Sequence, residues 1–265
     1  MTIVFAVANQ KGGVGKTTTS VNLAASLGLM NREVLLIDLD PQGNATMGSG
    51  MEKKELPHSI YDVLIGEKSA EESLVKAEAA GYDVLGANSD LIGAEIELLD
   101  LDRREYRLKD ALLGFGGKYD FIVLDCPPAL GVLTLNGLVA SDSVIIPMQC
   151  EYYALEGLTA LLDTIDRISS SLNPKLKVEG LLRTMYDPRN SLSRDVSLHL
   201  IDHFGDAVYR TIVPKNVRLA EAPSYGVPAH FYDKYSRGSK AYLALAGEVL
   251  NRHPEAANKG GENGD

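Results

Sequence analysis

A glycine-rich loop near the N-terminus constrains the fold of this chain more than any other feature. It follows an apolar run at residues 3–8, precedes apolar residues at helical spacing, and reads Lys11-Gly12-Gly13-Val14-Gly15-Lys16-Thr17-Thr18. Glycines let the backbone curl with its N–H groups pointing inward at a helix N-terminus, where the helix dipole also favours negative charge. With the Lys16 ammonium and the Thr17 hydroxyl added, the loop is predicted to bind the phosphates of a nucleotide together with Mg²⁺.

Apolar runs and helical patterns alternate along the rest of the chain. Further runs typical of buried strands lie at residues 33–39, 82–87, 119–125, 143–147, 178–185 and 208–213. Apolar residues recur at helical spacing most clearly over residues 154–172 and 239–252. This alternation predicts an α/β fold in which helices cover both faces of a mostly parallel, twisted sheet.

A single domain is expected to occupy residues 1–253, because 265 residues suffice for one large core and no linker interrupts the chain. Residues 254–265 carry no apolar stripe, so they are predicted to be a disordered tail. Glycines and a proline within residues 45–58 predict an exposed loop. Ser59 together with Asp62 predicts the capped start of a helix.

Composition excludes several classes of protein. A net charge of −10 argues against a surface covered in basic residues that bind nucleic acid. The nine basic and six acidic residues within 183–240 nevertheless leave room for a local basic patch. The two isolated cysteines, Cys126 and Cys150, are too few for a disulfide framework and fit a reducing cytoplasm. Neither a signal peptide nor the roughly 18 to 20 apolar residues of a spanning helix is present, so a soluble protein is expected.

Carboxylates stand at the ends of two predicted strands. Asp125 closes the run at residues 119–125, and Asp38 and Asp40 lie at the end of the run at residues 33–39. Magnesium-dependent phosphoryl transfer depends on positioning and charge neutralisation, and carboxylates supply both. Asp125 is therefore predicted to be the Walker B aspartate that holds the Mg²⁺ shell through water. Asp38 and Asp40 are alternatives for orienting the attacking water.

The glycine-rich loop departs from the general pattern G-x-x-x-x-G-K-[ST], because Gln10 stands where the pattern requires glycine and Lys11 is an additional lysine. In both respects it resembles the deviant Walker A loop of the ParA/MinD group of P-loop ATPases. Further stretches resemble the ParA/Soj partitioning ATPases over nearly the whole chain. They are Asp125-Cys126-Pro127-Pro128, residues 151–158 and residues 217–224.

The resemblance implies a single-domain P-loop NTPase that binds ATP and Mg²⁺ and hydrolyses ATP. ATPases of this family form an ATP-sandwich homodimer, bind double-stranded DNA without sequence preference, and are stimulated by a ParB-type centromere-binding partner. The implied function is the segregation of chromosome or plasmid origins by a cytoplasmic, nucleoid-associated protein that needs no membrane. With the first strand predicted to begin at residue 3, the specific DNA-binding extension of some larger plasmid relatives is not expected.

The resemblance also implies roles for individual residues. Lys11, the signature lysine of the family, is expected to reach the phosphates of the other subunit in the dimer. Asp40 is chosen over Asp38 to position the attacking water, and Asp38 is expected to act on the metal only through the groups that bind it directly. Pro214 and Asn216 are expected to lie against the adenine. The expected catalytic residues are Lys11, Lys16 and Asp40, the nucleotide-binding residues are Lys11, Gly12, Gly13, Val14, Gly15, Lys16, Thr17, Thr18, Pro214 and Asn216, and the metal site comprises Thr17, Asp40 and Asp125.

Five basic residues of the C-terminal third are candidates for DNA contacts. Arginines at the positions of Arg189 and Arg218 contact DNA in the family that the chain resembles. Lys234, Arg237 and Lys240 belong to the same basic stretch of the sequence. An acidic protein can bind a polyanion only through such a concentrated patch, and pairing two subunits would double its reach.

Three alternatives share the nucleotide-binding loop. A MinD-like membrane-associated positioning ATPase requires an amphipathic C-terminal helix, which the Gly-, Asn- and Glu-containing tail does not provide. An iron–sulfur reductase requires two cysteines placed to bridge a cluster, whereas Cys126 and Cys150 are better interpreted as small core residues. A nucleotide-binding module without turnover would show no hydrolysis that depends on Asp40.

Overall fold

The computed structural model describes residues 2–152 and 154–257 of the chain. The strands are β1 (Ile3–Val7), β2 (Val34–Asp38), β3 (Leu74–Ala77), β4 (Tyr82–Leu85), β5 (Phe121–Asp125), β6 (Ser143–Gln149), β7 (Lys177–Tyr186) and β8 (Val208–Pro214). The helices are α1 (Lys16–Leu29), α2 (Asn44–Gly48), α3 (Ile60–Ile65), α4 (Leu91–Glu97), α5 (Arg107–Leu112), α6 (Val132–Ala140), α7 (Ala154–Ser171), α8 (Ser191–Phe204), α9 (Val217–Glu221), α10 (Ala229–Tyr232), α11 (Arg237–Arg252) and α12 (Pro254–Ala257).

The eight strands form one sheet in the order β3-β4-β2-β5-β1-β6-β7-β8. Every neighbouring pair is parallel except β3 and β4, which are antiparallel. In the centre of the sheet, Asp125 of β5 is in register with Val7 of β1 on one side and with Asp38 of β2 on the other. The carboxyl ends of these strands therefore meet at one edge, the place where open α/β sheets bind ligands.

Helices cover both faces of the sheet, as the apolar runs predict. On one face, α1 and α11 pack with strand residues that include Phe5 and Val7. On the other face, α3 to α8 pack with residues that include Ala6. Because successive strand residues point to opposite faces and both faces are covered, β2 and β5 are apolar up to the aspartates at their carboxyl ends. The predicted α/β fold is thus confirmed.

Local structure differs from the prediction in three places. The expected loop at residues 45–58 begins with α2, because the backbone N–H and hydroxyl of Thr46 bind the buried Asp38 carboxylate and fix a helical turn there. The edge strand β3 was not predicted, since it has only four residues and is mostly half exposed. The tail begins with α12, whose Ala256 is buried against the core, while residues 258–265 lie outside the described part of the chain.

The predicted capping of the helix after Ser59 is present in α3. The Ser59 side chain accepts a hydrogen bond from the helix backbone, and the Asp62 carboxylate accepts one from the Ser59 N–H at 2.7 Å. Among the described residues, no helix combines the length and the apolar character required to cross a bilayer.

Candidate nucleotide-binding site

The glycine-rich loop connects the end of β1 to the start of α1. Gly13 and Gly15 have φ angles of 74° and 89°, a region that side chains with a Cβ rarely adopt, and Gly15 caps the N-terminus of α1. A Cβ placed at Gly12 or Gly13 would meet no atom within 4 Å, so the loop opens onto free space. The Thr184 hydroxyl donates to the Val14 carbonyl at 2.7 Å and ties the loop to β7. The loop is thus a fixed, open cradle of backbone N–H groups.

Lys16, the first residue of α1, is held inside this cradle with 8% of its surface exposed. Burial lowers the pKa of its ammonium, while the nearby carboxylates of Asp125 and Asp40 oppose that shift. The ammonium lies 3.4 Å from the Lys11 carbonyl, which it contacts across the loop. The cation therefore occupies the position where phosphate oxygens would meet the helix N-terminus.

Asp125 lies directly beneath the loop, at the end of β5. It is fully buried and accepts hydrogen bonds from the hydroxyls of Thr17 and Ser20, each at 2.8 Å. Burial raises the pKa of the Asp125 carboxyl, the neighbouring Asp38 raises it further, and the two hydroxyl hydrogen bonds act in the opposite direction. A cation placed beside this pair of carboxylates would favour their ionised forms.

The structure separates the two aspartates that the sequence left as alternatives. Asp38 is fully buried and accepts hydrogen bonds from the Thr46 N–H, the Thr46 hydroxyl and the Asp40 N–H at 2.9, 2.8 and 3.1 Å. Asp40 is only partly buried and lines the cavity in front of the glycine-rich loop. Asp38 therefore holds the turn in place, and Asp40 is the carboxylate that faces the open site.

The oxygen-bearing side chains at this point suit Mg²⁺. The Thr17 hydroxyl and the Asp125 carboxylate are 2.8 Å apart, and both are oxygen ligands of the kind that hard cations prefer. Among residues 2–152 and 154–257, no group of three or more His, Cys, Asp or Glu side chains could hold a metal on its own. This donor set fits an ion that is shared with phosphates, because Mg²⁺ is commonly bound through one or two protein ligands together with phosphate oxygens.

Two adjoining cavities meet at the glycine-rich loop. The first, of about 290 Å³, is lined by the loop, Asp40, Asn44 and Pro128. The second, of about 280 Å³, is lined mainly by apolar groups and includes Pro214 and Asn216. Gly15, Thr18 and Met185 line both cavities. A charged cavity and an apolar cavity that share one wall match the phosphates and the base of a nucleotide.

Pro214 and Asn216 take different parts in the second cavity. Pro214 ends β8, and the Asn216 side chain caps α9 by accepting from the Leu219 N–H at 3.3 Å. The structure adds two wall residues that were not predicted, Met185 and Tyr242. Met185 is unusual only in its backbone φ angle of 48°, which the sequence does not reveal, and Tyr242 lies within α11. Neither residue belongs to a sequence motif for nucleotide binding.

Lys11 points away from the cavities that the rest of the loop lines. Its ammonium donates to the Glu151 carboxylate, and the two side chains are 45% and 55% exposed. Ion pairs between exposed side chains contribute only about 0–1 kcal/mol, so this pair can be broken at little cost. Lys11 is thus available to a partner that approaches the open face of the site.

Two of the five predicted basic residues, Arg237 and Lys240, lie in the first turn of α11. Arg237 and Lys240 line a shallow depression together with Pro188, which directly precedes the exposed Arg189. Arg189 pairs with Asp187, and Lys234 lies over the ring of Tyr235 at 5.1 Å. Arg218 pairs with two carboxylates, Glu221 at 2.8 Å and Asp233 at 3.4 Å. Arg237 and Lys240 therefore share one surface, whereas the charge of Arg218 is largely compensated.

The chain is similar to known proteins over almost its whole length. A family model described as an AAA domain matches residues 2–178. The chain is 51% identical to the chromosome partitioning protein ParA of Caulobacter vibrioides over 94% of both proteins. It is 51% identical to the sporulation initiation inhibitor protein Soj of Bacillus subtilis over 93% of this chain and 97% of that protein. A crystal structure from Mycobacterium smegmatis, described as cobyrinic acid a,c-diamide synthase with bound ADP and magnesium, has a TM-score of 0.84 and 42% identity over 98% of each chain.

Proposed function

This chain belongs to the ParA/Soj family of P-loop ATPases, and from that premise we propose that it is an ATP-dependent DNA-partitioning protein. ATP binding with Mg²⁺ drives formation of a sandwich homodimer, and the dimer binds double-stranded DNA without sequence preference. Hydrolysis, stimulated by a ParB-type partner, releases the protein from DNA. The cycle segregates chromosome or plasmid origins on the nucleoid in the cytoplasm.

The observation that carries this proposal is that the two lysines of one loop have different environments, one buried and one exposed. Lys16 is buried in the cradle beside Asp125 and Asp40, where it serves the nucleotide of its own subunit. Lys11 is exposed on the outer side of the same loop. A cation in that position adds nothing to a monomeric site, but it can reach the phosphates in a second subunit that docks face to face.

Each residue of the site has a distinct task in the proposed hydrolysis. The backbone N–H groups of the loop and Lys16 bind and orient the phosphates, and Asp125 holds the Thr17 hydroxyl in place. Asp40 faces the cavity and orients the attacking water, while Asp38 fixes the backbone on which Asp40 stands. Mg²⁺, when bound, neutralises phosphate charge. Such chemistry depends on positioning and charge rather than on a covalent step.

The amide synthase among the similar structures suggests a different reaction on the same fold. We favour partitioning because the ParA and Soj relatives are more similar to this chain, at 51% identity against 42%. Both cysteines are also buried, and burial raises the pKa of the Cys150 thiol to about 11 and raises that of Cys126 still more. Neither thiol is therefore suited to act as a nucleophile, so this chain offers no cysteine for an amide synthesis that would proceed through a thioester.

Co-sedimentation with DNA in the presence of ATP, ADP or no nucleotide tests the proposal directly. We expect the protein to sediment with duplex DNA of any sequence only when ATP is present, because dimerisation brings two basic patches onto one surface. Equal binding with and without nucleotide would contradict the proposed coupling between the ATP site and DNA.

Replacement of Asp40 separates nucleotide binding from turnover. Asp40→Ala is expected to bind ATP and to form a dimer that persists, while its turnover falls by at least roughly 100-fold because only the positioning of water is removed. Size-exclusion chromatography with ATP, combined with phosphate release, measures both properties. A nucleotide-binding module without turnover would show no hydrolysis in the wild-type protein either.

Asp38→Asn is the matched control for the Asp40 substitution. It retains the shape of the side chain, but one carboxylate oxygen becomes an NH2 group, which cannot accept a hydrogen bond. Hydrogen bonds from Thr46 or Asp40 are therefore lost, and the melting temperature is expected to fall. If the Asp38 variant gave the stable, hydrolysis-deficient dimer and the Asp40 variant did not, the two roles would have to be exchanged.

The shared surface of Arg237 and Lys240 predicts the salt dependence of DNA binding. The double variant Arg237→Ala/Lys240→Ala is expected to weaken binding to all sequences alike and to flatten the log–log salt slope by about 0.9 for each DNA phosphate that is no longer neutralised. ATP affinity should be unchanged. Binding can be measured by fluorescence anisotropy at several salt concentrations.

The control for this pair is Lys175→Ala/Lys177→Ala, which removes the same charge. Both lysines are exposed at the N-terminal end of β7, roughly 30 Å along the ten-residue strand from the predicted patch. An effect of equal size in the control would mean that net charge, rather than this surface, governs DNA binding.

A further inference from the structure

The edge strand β8 pairs irregularly with its neighbour β7. Leu181 and Arg183 of β7 lie two positions apart. Their partners in β8, Val208 and Ile212, lie four positions apart, and a second shift in register follows between Arg183 and Tyr186. As in a β-bulge, β8 thus carries residues that the regular ladder of backbone hydrogen bonds does not place. Other contacts must fix the position of β8 against β7.

The Arg183 side chain binds the carbonyl groups of this irregular stretch. Only 5% of Arg183 is exposed, and burial lowers the pKa of its guanidinium. The guanidinium donates to the Tyr209 and Arg210 carbonyls at 2.8 and 3.3 Å, and to the Ser197 hydroxyl of α8 at 2.9 Å. A buried cation is costly unless it is hydrogen-bonded, so Arg183 constrains where the two carbonyls of β8 can lie.

Glu248 of α11 binds the N–H groups of the same stretch. Its carboxylate accepts from the Arg210 and Thr211 N–H groups at 2.8 and 3.0 Å. Burial acts to raise the pKa of this carboxyl, but the two N–H groups hold it below its usual value. Helices α8 and α11 cover opposite faces of the sheet, so the irregular stretch is held by a cation from one face and an anion from the other. We refer to this pair as the Arg183–Glu248 clamp.

The clamp directly precedes the residues that line the second, apolar cavity. Thr184 and Met185 follow Arg183 on β7 and line one side of that cavity. Val213 and Pro214 follow the clamped stretch on β8 and line another side. The space between these sides therefore depends on how β8 lies against β7, which the clamp fixes.

We propose that Arg183 and Glu248 are positioning residues for the base of the nucleotide, because they hold the two strands between which the base binds. This inference rests on the nucleotide binding of the proposed function. Neither residue lines the cavity, so both act through the strands. The phosphate cradle is instead formed at the junction of β1 and α1, over the Asp125 hydrogen bonds to Thr17 and Ser20. The clamp should therefore affect binding of the base far more than binding of phosphates.

Affinities for ADP and for pyrophosphate, each with Mg²⁺, measure these two parts of the site separately, because pyrophosphate has no base. ADP is preferred to ATP because the proposed dimerisation requires ATP. Glu248→Gln keeps the size of the side chain, but its NH2 group cannot accept a hydrogen bond from β8. Arg183→Lys keeps the charge but lacks the planar fork that reaches several acceptors at once.

Glu179→Gln is the matched control, because it makes the same chemical change at another carboxylate that holds β7. Glu179 is 7% exposed and contacts the Ser143 hydroxyl at 2.9 Å and the His253 ring at 3.1 Å. It lies five residues before Thr184, which is roughly 17 Å along the strand. A merely structural loss in β7 is therefore separated from a loss at the cavity.

We expect both clamp variants to bind ADP at least about fivefold more weakly than wild type, the effect of losing one hydrogen bond to a charged group. Their affinity for pyrophosphate should stay within roughly twofold of wild type, as for independent parts of a site. In ATP hydrolysis, KM should rise while kcat at saturating ATP changes little. Glu179→Gln should lower the melting temperature but leave both affinities as in wild type.

Three results would overturn the role of the clamp. They are wild-type ADP affinity in Glu248→Gln, an equal loss of ADP and pyrophosphate affinity, and an equal loss of ADP affinity in the Glu179→Gln control. Glu248→Gln decides alone if Arg183→Lys does not fold, which the melting curve shows. The expected affinities in all variants, but without ATP-dependent DNA binding of wild type, would support the clamp and contradict the partitioning function.

Discussion

Lys16→Ala should remove most of the affinity for ATP that calorimetry measures in the wild-type protein. Lys16 is the cation enclosed by the glycine-rich loop, and it also balances the buried carboxylate of Asp125. Without it, the phosphate charge is left to backbone N–H groups and Mg²⁺, while two carboxylates remain buried nearby. Removal of one charge from such a site costs about 2–5 kcal/mol, which is roughly a 30- to 5,000-fold decrease in affinity.

Lys175→Ala is the control, because Lys175 is exposed and distant from the site. It should bind ATP with wild-type affinity. Because Lys16→Ala also removes the cation that balances the buried Asp125 carboxylate, circular dichroism is needed to verify that the Lys16 variant is folded. Wild-type affinity in the Lys16 variant would exclude the loop as the phosphate-binding site.

The sheet and the loop could be predicted from sequence because each depends on local pattern. Continuous apolar runs are required where both faces of a parallel strand are buried. In β5 and β2 such a run ends in an aspartate, so the sequence itself indicates which carboxylates lie at the edge of the sheet. The Ser59 cap of α3 was likewise predictable, since both of its hydrogen bonds join residues three or fewer apart. In contrast, β3 depends on pairing with β4 and has no strong pattern of its own.

The parts of the site that escaped prediction depend on contacts between distant residues. Thr184 reaches the Val14 carbonyl across 170 positions of sequence, and Tyr242 meets the Thr19 hydroxyl across 223. Neither contact leaves a motif in either segment. The role of Asp38 is an intermediate case, because its register beside Asp125 follows from strand order, whereas its hydrogen bonds to Thr46 require α2 to fold back onto β2.

The Lys11–Glu151 pair also joins residues that are 140 positions apart. Its position bears on the role in the dimer that the family resemblance implies for Lys11. A lysine that acted on its own nucleotide would be expected to point into the cavity, as Lys16 does. Lys11 instead lies on the exposed side of the loop and pairs with the Glu151 carboxylate. An ion pair between exposed side chains is weak, so phosphates could displace Glu151 from Lys11. This arrangement favours action on another subunit, which can be tested by mixing variants.

Lys11→Ala should lower ATP turnover by about 10³ to 10⁵, the range typical of a charge supplied in trans to a transferring phosphate. Mixing it with Asp40→Ala before ATP is added should restore part of the activity. In such a heterodimer, the nucleotide of the Lys11→Ala subunit meets its own Asp40 and the partner's intact lysine. With random pairing at equal amounts, about a quarter of wild-type turnover per site is expected, because half of the dimers have one complete site in two.

Action in cis predicts a different result from the same mixture. Each subunit would then lack one of the two groups that its own nucleotide needs, and no combination would assemble a complete site. Mixing Lys16→Ala with Asp40→Ala provides the control, since Lys16 is buried in its own cradle and cannot be supplied by a partner. Recovery with Lys11→Ala and none with Lys16→Ala would establish that one loop contacts two nucleotides. Equal failure of both mixtures would mean that Lys11 acts on the nucleotide of its own subunit.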